Sequence, residues 1–79
     1  MPTGLRDNGY RFAFYGADRG EPAHVHVTRD RNKAKFWLEP FIRLSKNKGF
    51  RSHELNEIEK ILERNKEQLM RTWDEYFES

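Results

Sequence analysis

Apolar positions alternate with polar ones over the first half of the chain and then switch to a helical period. In Tyr10–Tyr15, Tyr10, Phe12 and Phe14 share one face, and Arg11, Ala13 and Tyr15 the other. In Ala23–Arg29, Val25 and Val27 oppose His24, His26 and Thr28. In Lys33–Leu38, Ala34, Phe36 and Leu38 oppose Lys33, Lys35 and Trp37. Each run reads as a strand with one buried face. Asp7-Asn8-Gly9 has turn composition, and Asp30-Arg31-Asn32 suits a hairpin link. Pro40 ends the third strand or sets it on an edge. Phe41–Leu44 forms a short fourth strand or a turn that seals the core. Residues 1–8 read as a polar lead-in, and Ser45–Gly49 as a basic loop.

From about residue 53 to 77 the spacing of Leu55, Ile58, Ile61, Leu62, Leu69, Trp73 and Tyr76 is helical. Ser52 has the chemistry of an N-cap, and Glu54 falls in the first turn, where the helix dipole favours negative charge. One unbroken helix would span roughly 37 Å at 1.5 Å per residue. That overhangs a small sheet, so a break near Arg64-Asn65-Lys66 is attractive. The expected architecture is α+β: an antiparallel sheet of three to four strands, one face covered by one long or two shorter C-terminal helices. Residues 1–79 form a single domain.

Composition narrows the function. The chain has no Cys, so neither disulfides nor thiolate zinc sites reinforce it, which fits a reducing cytoplasm. No apolar run near the N-terminus reaches signal-peptide length, and none approaches the roughly 20 residues of a membrane span. The net charge of +2 conceals a split. Residues 1–51 carry eleven Lys/Arg against five Asp/Glu, and residues 52–79 carry four against eight. An acidic helical back therefore stands behind a basic front. The expected open face holds Arg11, Tyr15, His24, His26, Thr28, Lys33, Lys35 and Trp37. Cations there can meet phosphates, and rings can stack on bases.

Three readings of that face follow. His24 and His26 lie two residues apart, about 6.6 Å along a strand. In the first reading they serve as acid and base for metal-independent RNA cleavage. Arg11 and Lys35 then stabilise developing charge, with Tyr15, Lys33 and Trp37 holding nucleic acid. In the second, the two imidazoles bind a metal, with Glu21, Asp30 or His53 needed as a third ligand. In the third, the face is an interaction surface without chemistry, anchored by Trp37 and Tyr15, in a homodimer or against a partner protein. His53 itself reads as neutral helix surface. No cofactor motif is present, so no metal or cofactor is assigned.

Several pieces in order resemble the domain-of-unknown-function 4160 family of small bacterial proteins. They are Gly9-Tyr10-Arg11-Phe12 with Phe14-Tyr15, then Glu21-Pro22-Ala23-His24-Val25-His26-Val27, then Ala34-Lys35-Phe36-Trp37-Leu38 with Pro40. Gly49-Phe50, His53-Glu54-Leu55, Ile58 and Trp73 through Phe77 complete the set. Phe41 before Ile42 departs from the family's shorter turn. The resemblance implies a bacterial, cytoplasmic protein. It also implies a small partner protein from an adjacent gene, in a two-gene module of toxin–antitoxin type. It brings no established catalytic residues.

Overall fold

The computed structural model describes residues 3–14 and 20–78. Five antiparallel strands follow one another in a meander: β1 (Thr3–Asp7), β2 (Tyr10–Ala13), β3 (His24–Arg29), β4 (Asn32–Trp37) and β5 (Arg43–Lys48). Two helices follow, α1 (Ser52–Arg64) and α2 (Lys66–Glu78). The fold is therefore α+β, with a sheet larger than the three to four strands expected. Neither added segment alternates cleanly. Thr3-Gly4-Leu5-Arg6-Asp7 holds one large apolar residue, so the sequence of β1 reads as a lead-in. β5 covers most of the expected basic loop, and pairing with β4 rather than its own composition makes it a strand.

Turn chemistry sets the register. Asn8 and Gly9 both have positive φ, as a two-residue turn between the paired Asp7 and Tyr10 requires. Asp30 also has positive φ, in the link between the paired Arg29 and Asn32. After β5, Gly49 has φ +102°, which favours glycine, and a Cβ there would run into the Asn32 side chain. The Asn47 side chain then closes the turn into α1. Its Nδ2 donates to Phe50 O at 2.9 Å, and Phe50 N–H donates to its Oδ1 at 3.1 Å.

The helix start differs from expectation by one residue. Arg51 is the N-cap and Ser52 the first helical residue. Glu54 decides this: its Oε1 accepts from Arg51 N–H (2.8 Å), while Arg29 donates to its Oε2 (2.9 Å). That buried carboxylate ties the helix start to the end of β3. The helical region breaks at Asn65. Its Nδ2 donates to Ile61 O at 2.8 Å, competing locally with the backbone ladder, and α2 begins at the next residue.

Tyr10, Phe12, Phe14, Val25, Val27, Phe36 and Leu38 all turn inward as the alternation predicts, and each is fully buried. Ile58, Ile61, Leu62, Leu69 and Trp73 join them in one core. Tyr76, expected in the same stripe, is exposed; Phe77 packs on Trp73 instead, with ring centroids 4.2 Å apart. Among the described residues, no helix is long and apolar enough to cross a membrane.

Candidate nucleic-acid interface

The register assembles the opposite face of the sheet into rows. Arg6 pairs with Arg11, Arg11 with Thr28, Thr28 with Lys33, and Lys33 with Lys48. This first row crosses all five strands and carries four cations. The second row runs from Ala13 to His26, Lys35 and Lys46. The ladder shifts between Lys35 and Phe36, leaving Ser45 as an extra residue in β5. That bulge brings Arg43 opposite Trp37, so the third row reads His24, Trp37, Arg43. Arg43 lies 5.8 Å from the Trp37 ring centroid, as a shared face requires.

Three of these pairs set like charges directly opposite: Arg6 with Arg11, Lys33 with Lys48, and Lys35 with Lys46. Each such pair opposes folding by roughly 0.2–1 kcal/mol. Among the described residues, only Lys35 of the seven cations has a carboxylate within ion-pair distance. Its Nζ is 3.0 Å from Glu21 Oε1 and 4.5 Å from the Trp37 ring centroid. His26, Lys33, Lys35, Lys46 and Lys48 surround a shallow depression of about 620 Å³. The sheet thus concentrates cations on one face where folding alone disfavours them.

The structure brings most of the expected site residues together. Arg11, His26, Lys33, Lys35 and Trp37 share this face, and Lys46, Lys48, Arg43 and Arg6 extend it. Sequence reading missed those four because they lie on the two strands that do not alternate cleanly. Tyr15 lies outside the described residues.

His24 requires a correction. Strand parity holds, since Val25 and Val27 are buried in the core and the imidazoles leave the other side. His24 is nevertheless fully buried rather than open. Its ring meets those of His26 (5.2 Å between centroids), Trp37 (5.4 Å) and Trp73 (5.2 Å). Trp73 also meets Phe14 on the core side at 5.4 Å. The indole therefore touches both the core and the His24 ring. His24 Nδ1 is 2.9 Å from Pro22 O, and a carbonyl can only accept, so Nδ1 carries a proton. Glu21 Oε1 lies 3.8 Å from the same nitrogen. These contacts lock the ring as a packing element, whereas His26 remains half-buried at the rim of the lysine depression.

Among the described residues, no three of His, Cys, Asp and Glu cluster as metal ligands, so neither Asp30 nor His53 completes a set with His24 and His26. His53 is exposed on α1. The resolved pKa shift lies behind the sheet. Burial, followed by the neighbouring Glu57 carboxylate, pushes the Tyr10 hydroxyl up to about 12. Tyr10 therefore stays neutral under the Arg29 guanidinium, which sits 4.5 Å from its ring centroid.

No curated protein and no solved structure matches the chain. A family model matches residues 9–74, spanning β2 through most of α2 and nearly all of the cationic face. The chain belongs to the family described as a domain of unknown function, DUF4160.

Proposed function

We propose that this protein binds RNA through the cationic face of its sheet. The observation that carries the reading is the set of three directly opposed cation pairs, whose repulsion a phosphate backbone relieves. Trp37, flanked by Lys35 and Arg43, supplies an aromatic group at one end of the lysine rows. The resemblance supports reading the protein as one half of a bacterial, cytoplasmic two-gene module of toxin–antitoxin type, with the adjacent gene's product as partner. Binding is better supported than cleavage. Metal-independent cleavage needs two proton-transfer groups at the phosphodiester, and the buried His24 cannot reach one.

Fluorescence anisotropy against mixed single-stranded RNA, over a range of salt, tests the reading. Four phosphate contacts predict a slope of log K against log salt of roughly −3. Replacing both Lys33 and Lys48 by Glu should reduce affinity by on the order of tenfold or more and flatten that slope. Tight binding to RNA that ignores both salt and these substitutions would remove the proposal, as would no binding at low salt.

A second reading rests on different residues. Phe41 is 60% exposed and Leu44 43%, both beside the β5 edge. An interaction module would use that corner to meet the small partner protein or a second copy of the chain. Mass measurement by size exclusion, alone and with the adjacent gene's product, separates it from a monomeric RNA binder.

A further inference from the structure

The first cation row does not end in lysines at both sides of the sheet. On β4 and β5 it is Lys33 and Lys48, but on β1 and β2 it is Arg6 and Arg11, with the Thr28 hydroxyl directly opposite Arg11. These three residues line a separate cleft of about 450 Å³ at the hairpin-turn end of the sheet. Arg11 Nε is buried and has no hydrogen-bond partner among the described residues. A guanidinium N–H withdrawn from water without an acceptor is costly, and the rest of the half-buried Arg11 side chain is what an anion in the cleft would meet. Neither Arg6 nor Arg11 has a carboxylate partner among the described residues, although Arg29 beside them is held by Glu54.

The chemistry differs from that of the lysine depression. Lysines are mobile point charges suited to a chain of singly charged diesters. Two facing guanidinium groups plus a hydroxyl suit one compact oxyanion of higher charge, held by forked, charge-assisted bonds. A phosphomonoester, with about −1.5 to −2 charge near neutral pH, is such a group. Asp7 and Asp30 stand at the same end of the cleft, in or beside the two hairpin turns. Their carboxylates oppose any anion there, and Arg6, Arg11 and Arg29 outnumber them in the lining. β1 is also the last strand of the sheet, so the cation row stops there.

We propose that Arg6, Arg11 and Thr28 form a pocket for the terminal phosphomonoester of an RNA strand whose diesters lie over Lys33 and Lys48. The inference rests on the RNA-binding reading and adds to it a preferred strand end. The lysines hold any strand, and the arginine cleft selects one that carries a terminal phosphate.

One short oligoribonucleotide, prepared with a 5′-phosphate, with a 3′-phosphate, or with hydroxyls at both ends, distinguishes the cases by anisotropy. One phosphorylated form should bind on the order of tenfold tighter than the hydroxyl form, as a forked charge-assisted contact allows. Which form gains tells which end is held. Arg11→Ala should erase that gap, whereas Lys33→Ala should weaken all three forms alike. Should Arg11→Ala fail to fold, Arg6→Ala and Thr28→Val must each narrow the gap. Equal affinity for all three forms, or a gap unchanged in those variants, overturns the pocket while leaving the RNA-binding face intact. No binding of any form overturns the face and the pocket together.

Discussion

The two ends of the sheet's outer face share one strand parity and have met different fates. At the hairpin-turn end, Arg6, Arg11, Thr28, Lys33 and Lys48 stand in a row, and among the described residues no carboxylate lies within ion-pair distance of its cations. At the other end, His24 and Trp37 belong to the same face, yet Trp73 from α2 closes over His24. Parity tells which way a side chain leaves a sheet. It does not tell what stands above it. The open end keeps groups that folding would rather separate, whereas the closed end turns a reactive side chain into an aromatic packing unit.

Removing the cover gives the largest expected effect. Trp73→Ala should cost about 3 kcal/mol or more in a denaturant titration, since the indole joins Phe14, His24 and Phe77. In the same variant, the His24 ring should become accessible to solvent-borne probes in NMR spectra. A ring that stays protected would mean that Trp73 is not what closes this end.

Relieving repulsion at the open end sharpens the contrast with a smaller change of opposite sign. Lys33→Thr should stabilise the fold by about 0.5 kcal/mol at low salt by removing the like charge facing Lys48. High salt should shrink the gain. The same variant should bind RNA more weakly, so stability and binding move in opposite directions. A variant that loses both would mean that Lys33 is there for the fold.

The last effect is confined to high pH, on the core side. With a folded-state pKa near 12 against an ordinary 10.0, Tyr10 favours folding fully below pH 10. That contribution disappears as pH rises through about 12. Tyr10→Phe should therefore lose less stability than the natural protein between pH 10 and 12, while the two curves run nearly parallel below pH 9. Parallel curves throughout would show that Tyr10 is not held neutral by its surroundings.

Much of the fold could be read from residues alone, for reasons that differ between segments. The strands with a clean period of two lie in the middle of the sheet, where one face must be buried, so burial writes itself into their sequence. The edge strands carry no such imprint. β5 is Arg-Leu-Ser-Lys-Asn-Lys, and its burial is slight throughout. Its strand form comes from hydrogen bonds to β4, which composition does not record. The site was legible to the same extent. Arg11, His26, Lys33, Lys35 and Trp37 lie on strands with a clean period of two, so parity gives their shared face, whereas Arg6, Lys46 and Lys48 lie in segments whose residues read as lead-in and loop. His24 is buried rather than open, and one of the rings packed on it, Trp73, lies 49 positions later in the chain.

The chain by itself determined the inward set from Tyr10 to Leu38, the helical stripe, the Asn8-Gly9 turn and the side from which each imidazole departs. These follow from local stereochemistry and from the period of burial. Only the tertiary structure decided that lysines and arginines would face one another across strands, and that one histidine would be sealed while its neighbour stayed at a rim. Cross-strand register and the path of α2 depend on contacts between residues far apart in sequence, and no local pattern encodes them.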